Sequence, residues 1–184
     1  DGYTYYLAQA LLDTVLGKLA KDDQPAYEVL ETMKGQELEY REYEPLYACS
    51  VPIVEKQHKK AYFVECDDYV TMTDGTGIVH EAPAFGEDDA RVGRKYDMPF
   101  VQLVDEKGDM KPETPFGGVF VKKADPLVLE DLEKRGLLFA APKFEHDYPH
   151  CWRCGTPLIY YARSSWFIKM TAVKEDLINN NKQI

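Results

Sequence analysis

Long apolar runs are missing from this chain. None approaches the roughly 20 residues that a membrane-spanning helix needs. The opening residues, DGYTYYLAQA, lack the basic stretch that precedes the apolar part of a secretory signal. Cysteine is scarce. Cys49, Cys66, Cys151 and Cys154 are the four in 184 residues, too few and too irregularly spaced for a disulfide framework, which points to reduced thiols and a cytoplasmic protein. Positive charge is also in short supply. Twenty-two Lys and Arg face 32 Asp and Glu, for a formal charge of −10. A domain that grips nucleic acid unaided carries a basic face, so this chain is expected to repel phosphate on average. No initiator Met is present, and the last residues, TAVKEDLINNNKQI, read as helix. Both ends are therefore expected to be cuts through a longer protein. There is no internal repeat and no low-complexity segment.

The length fits one domain with room for a small appendage, and an apolar fraction of 45% is ordinary for a globular core. Tyr3, Leu7, Ala10, Leu11, Val15 and Leu19 recur at helical spacing, which predicts an amphipathic helix over 3–20 that stops at Lys21 to Pro25. Short strands are expected at 27–33, 61–65, 77–81, 100–104 and 119–121, with an extended segment at 137–144. Residues 86–96 read as a helix with acids in its first turn and bases further along, an order that suits the helix dipole. A further helix is expected with Asp125 as N-cap, Pro126 at the first helical position and Gly136 at the C-terminal cap. Many short strands with two or three helices between them predict a mainly β fold, a barrel-like sheet with peripheral helices.

Residues 75–89, GTGIVHEAPAFGEDD, hold the densest group of chemical side chains. A strand, a proline turn and a helix start would bring His80 and Asp89 to one small pocket. Gly75, Thr76 and Gly77 would let backbone approach a ligand closely. A hydrolase acting on an aminoacyl ester needs a carboxylate for the substrate ammonium, a pocket of fixed size and an ordered water. Asp89 supplies the first, with Asp88 as its rival, and His80 could line the pocket or hold the water. The bland reading stands beside this one: a first-turn Asp stabilises its helix, and a lone strand histidine is commonly structural. At 151–154, CWRCG offers one Cys-X-X-Cys, half of a tetrahedral zinc site. His146 and His150 could complete a local set, although His150 directly precedes Cys151. A redox role lacks a thioredoxin-like setting. The aromatic run Tyr160, Tyr161, Trp166 and Phe167 reads as a packing face for another domain rather than a base-stacking platform.

The 75–89 stretch resembles the signature of the editing domain of class I aminoacyl-tRNA synthetases. Residues 146–171, HDYPHCWRCGTPLIYYARSSWFIKMT, are similar to the isoleucyl type, where the chain leaves the editing insertion. The resemblance covers most of the chain and implies the same barrel-like architecture. It divides the chain into an editing domain, 1–145, and a return segment with a Cys-X-X-Cys knuckle, 146–184. It implies hydrolysis of mischarged Val-tRNA(Ile), with Asp89 and His80 as catalytic residues and Gly75, Thr76, Gly77 and Asp88 around the substrate. In the parent it implies tRNA(Ile) as partner, ATP used by the catalytic domain, and zinc held by Cys151, Cys154 and a second pair elsewhere. The family's threonine-rich editing segment has no counterpart here, so an inert fragment is one alternative. The others are a valyl- or leucyl-type editing domain and a metal-knuckle binding module.

Overall fold

The computed structural model describes residues 2–20, 26–143 and 145–183. Five α-helices mark its course: α1, Leu12–Leu16; α2, Val51–Gln57; α3, Glu87–Lys95; α4, Val121–Lys134; and α5, Met170–Asn181. Single turns of 3-10 helix flank α1 on both sides. Among the described residues there is no β-strand, only four isolated antiparallel bridges: Glu42 with Phe63, Val104 with Met110, Asp109 with Phe120, and His150 with Pro157. This overturns the expected mainly β, barrel-like fold with peripheral helices.

The pairing that a barrel needs begins and then fails for local reasons. Segments 40–43 and 61–64 run side by side, with the Tyr40 and Tyr43 amides donating to Val64 and Tyr62 carbonyls at 2.8 Å. However, Tyr40 and Tyr62 have φ of 64° and 59°. Left-handed residues cannot continue a pleated ladder, so one bridge survives. Residues 103–104, 108–111 and 118–121 form a second interrupted meander. There the Asp105 carboxylate caps its own turn, accepting the Lys107 and Asp109 amides at 2.8 and 3.0 Å. Segments 27–33, 77–81 and 137–143 carry no strand, and Phe144 lies outside the described residues.

The helices follow the sequence more closely. α3 has Glu87, Asp88 and Asp89 in its first turn and Arg94 and Lys95 in its last, as the charge order predicts. α1 is shorter than the periodicity suggests. The Ala8 amide donates to the Thr76 carbonyl at 2.8 Å, so the residues before it are drawn off toward the glycine turn instead of winding. The expected stop at Lys21 to Pro25 lies outside the described residues. α4 starts five residues before the expected place. Phe120, not Asp125, precedes it, and its carbonyl accepts the Lys123 and Ala124 amides at 2.8 and 3.1 Å. Pro126 therefore sits inside the helix, where its missing N–H falls opposite the exposed Lys122. At the other end Gly136 has φ of 67°, and the Gly136 and Leu137 amides return to Glu133 and Leu132, which is a Schellman cap.

The core is small: Leu11, Leu16, Val54, Phe63, Ala84, Val92, Val104 and Ala124 are its buried apolar residues. Polar clamps do much of the joining. Gln57 on α2 pairs with the Phe100 backbone in both directions, at 2.8 and 2.9 Å. The Tyr47 hydroxyl donates to Asp131 of α4 at 2.8 Å. Arg91 of α3 grips Asp67 with two hydrogen bonds of 2.7 and 3.0 Å, and Lys95 stands 3.5 Å from the same carboxylate. The Arg91 hydrogen bonds hold the Asp67 carboxyl well below the usual carboxylate range.

Two outcomes follow from α3. Gly93 is buried, and a Cβ there would stand 2.8 Å from Cγ of Pro83. Alanine or valine at 93 gains helix propensity but must displace a rigid ring. We expect Gly93→Val to cost about 1–2 kcal/mol net, or roughly 2–8 °C in thermal midpoint for a chain of this length. Asp67, with its carboxyl depressed in the fold, adds stability above its ordinary value of 3.8 and loses it as pH falls below that. Thermal midpoints measured from pH 6 downward should therefore drop less steeply in Asp67→Asn than in the unsubstituted chain, and parallel curves would refute the clamp.

Candidate functional site

Residues 75–89 fold as a glycine turn, an extended stretch, a turn at Pro83 and the start of α3. Gly77 has φ of 74°, and a Cβ on it would lie 2.5 Å from the Ala8 side chain. Only glycine lets the 2–8 segment pass this close. The Thr76 hydroxyl is taken up locally, donating to the Ile78 carbonyl at 3.0 Å. Gly75 is exposed in the same turn.

Asp89 is half-buried and points back over the turn. Its Oδ2 accepts the Ala82 amide at 2.9 Å, and its carboxyl carbon packs where a Cβ of Gly86 would be, 2.6 Å away. Oδ1 takes no hydrogen bond among the described residues. Asp89 therefore both fastens the Pro83 turn to α3 and offers one free carboxylate oxygen. Asp88 is exposed and faces Arg91 at 3.5 Å. His80 is exposed, makes no hydrogen bond among the described residues, and shares none with Asp89.

Three further residues meet beside this turn. Tyr69 donates to Glu81 at 3.0 Å, and the Glu65 and Glu81 carboxyls lie within hydrogen-bonding reach of each other. Burial first, then the Glu81 charge and the hydrogen bond to it, push the Glu65 carboxyl up to about 7. Burial also raises Glu81, against the pull of its bonds to Tyr69 and Glu65. The Tyr69 hydroxyl is raised by burial and by Glu81. Sequence reasoning passed over this group. The signal was available, since Glu65 and Glu81 each end a short apolar run, AYFVE and GIVHE, where an acid is costly to bury.

A separate polar cleft of about 200 Å³ lies at the far end of α3, lined by Glu39, Cys66, Asp67, Asp68, Lys95 and Tyr96 among others. It contains none of the expected site residues. The knuckle at 151–155 is a tight turn closed by the Cys151 amide on Thr156 and the Gly155 amide on Cys151, both at 2.8 Å. The Cys154 thiol is lowered chiefly by its hydrogen bond with Thr156, at 3.2 Å. His150 turns its Nδ1 to the Tyr148 carbonyl at 2.8 Å. Among the described residues no group of three or more His, Cys, Asp or Glu side chains is arranged to hold a metal ion. Two thiols are half of a structural zinc site, so the chain's own residues do not fit zinc as a complete set. Among the described residues no helix is long and apolar enough to cross a membrane.

No family model matches the chain. Similarity to curated proteins is extensive. The isoleucine–tRNA ligase of Clostridium novyi is 48% identical over 185 residues, which cover 100% of this chain and 17% of that protein. The isoleucine–tRNA ligase of Clostridium acetobutylicum is 46% identical over the same shares, and that of Thermus thermophilus is 45% identical over 99% of this chain and 17% of its own length. The chain thus spans about one-sixth of the relatives it matches, and along its whole length it matches that part of isoleucine–tRNA ligases.

Proposed function

We propose that this chain is the editing part of an isoleucine–tRNA ligase and that, within the whole enzyme, it hydrolyses valine wrongly attached to tRNA(Ile). The observation that carries the reading is Asp89. It is a half-buried carboxylate with one oxygen anchored on the Ala82 amide and the other unbonded, in a chain related along its length to isoleucine–tRNA ligases. The need for such a site is physical. One methylene gives a binding pocket only about 1–3 kcal/mol of discrimination, isoleucine against valine being the type example, and a second, smaller pocket supplies the rest.

In this reading the substrate ammonium pairs with Oδ1 of Asp89 through a charge-assisted hydrogen bond. His80, exposed at the end of the run leading into the Pro83 turn, limits the side chain that enters and orders the attacking water. The backbone of Gly75, Thr76 and Gly77 borders the ester, and Asp88 stays with Arg91. The acceptor end of tRNA(Ile) is delivered by other parts of the enzyme, since a net charge of −10 disfavours a polyanion. ATP is consumed elsewhere, in the ligation step, and the whole acts in the cytoplasm. Zinc at Cys151 and Cys154 would need two ligands from outside this stretch.

Two substitutions at 89 separate charge from anchorage. Asp89→Asn keeps an acceptor for the Ala82 amide and loses the charge. Asp89→Ala loses both, at about 1–3 kcal/mol of stability. Deacylation of Val-tRNA(Ile) by the full-length enzyme should collapse in both variants, while the thermal midpoint falls only in Asp89→Ala. Parental deacylation by Asp89→Asn would sink the assignment. For His80, a smaller residue should let the enzyme attack its own product, so His80→Ala is expected to release isoleucine from Ile-tRNA(Ile). Unchanged discrimination would make His80 a structural residue.

A further inference from the structure

We propose that Glu65 and Glu81 are positioning residues for the candidate pocket, a carboxyl pair that shares one proton and so clasps the 77–86 loop to the 61–69 segment. What the loop does rests on the editing reading; how it is held does not.

The geometry is that of a pair built to hold one proton. The two carboxyls come from different segments, and each lies within hydrogen-bonding reach of the other. Oε2 of Glu65 and Oε2 of Glu81 are both buried with no hydrogen-bond partner of their own. A proton on one carboxyl supplies the donor that the pair lacks; without it, two like charges face each other away from water. Oε1 of Glu81 is already taken by the Tyr69 hydroxyl at 3.0 Å. Glu81 is thereby fixed on two sides, and it lies between His80 and Ala82, whose amide is the anchor of Asp89.

The surroundings favour the shared proton. Glu65 is faced by Glu81 and by Lys95 of α3, whose charge favours the ionised form. Glu81 is faced by Tyr69, Glu65, Asp89 of α3 and Asp67. Tyr43, from the segment paired across 61–64, stands close to both carboxyls and to Tyr62. Lys95 is itself drawn to the Cys66 carbonyl at 2.9 Å and to Asp67 at 3.5 Å. Burial and the Glu81 charge hold the Glu65 carboxyl up to about 7. A folded-state value above the unfolded one means the native chain binds the extra proton. The clasp is therefore closed below that pH and weakens as pH rises through it, the proton leaving to water.

Hydrogen–deuterium exchange of the peptide spanning 77–86, corrected for the intrinsic pH dependence of exchange, reads the clasp directly. Between pH 6 and pH 8 its protection should fall about tenfold, as expected for one proton lost a unit above its pKa. In Glu65→Gln the amide replaces the proton as a permanent donor, and protection should be equal at both pH values. Glu81→Ala should expose the loop at both, and Glu81→Gln should restore it. A pH-independent parent, an unchanged tenfold fall in Glu65→Gln, or full protection in Glu81→Ala would each overturn the proposal. In the full-length enzyme, Val-tRNA(Ile) deacylation relative to the spontaneous rate should decline above pH 7 in the parent and stay level in Glu65→Gln. If exchange behaves as stated but no deacylation occurs at any pH, the clasp stands and the editing reading falls.

Discussion

The bond from the Ala82 amide to Asp89 organises everything around the candidate pocket. It crosses from the loop into the first turn of α3 and so fixes where the helix begins relative to the Pro83 turn. With that angle set, Pro83 can lie against the bare backbone of Gly93 one and a half turns along the helix. Ala84 is then driven into the core, and its carbonyl is presented to the Ala162 amide at 2.9 Å. Phe85 meets Tyr161 edge-on at 6.3 Å in the same place. A single charge-assisted contact thus links the loop, the helix and the segment that follows the knuckle.

Charge is handled in opposite ways at two carboxyl sites near α3. Toward Asp67, cations outnumber the acid, and the carboxylate stays ionised with Arg91 and Lys95 around it. Toward Glu81, acids outnumber cations, and the cheaper solution is neutralisation by a proton. The first arrangement tightens as pH rises from the acid side, and the second loosens as pH rises through neutrality. The best conditions of the two contacts therefore overlap only in mildly acidic to neutral solution.

The sequence made the helices readable and the sheet misleading. α5 falls within the closing run that reads as helix, and α3 was legible because charge order acts within a few residues. The Gly136 cap was legible for the same reason. The start of α4 was not, because the Phe120 carbonyl captures the chain before Asp125 and Pro126 can act as an N-terminus. The expected strands have the right composition, but a ladder depends on the partner, and left-handed Tyr40 and Tyr62 are invisible in a propensity. In the candidate site, Asp89 stands out in the sequence by its place in a motif, and the structure adds its anchoring role. Glu65 and Glu81 were missed because sixteen positions separate them, and nothing local says that they meet.

The exposed aromatic segment also governs how this protein would be watched. Its two tryptophans, Trp152 and Trp166, are 87% and 103% exposed, and Phe167 beside the second is 88% exposed. Indole emission from the native chain is thus already that of a solvated ring, and global unfolding moves neither tryptophan from an apolar interior into water. Folding is visible instead through the tyrosines, such as Tyr47, Tyr69 and Tyr96, that sit in hydrogen-bonded contacts. A blue shift in tryptophan emission would report something else: the moment at which another surface closes over residues 152–167.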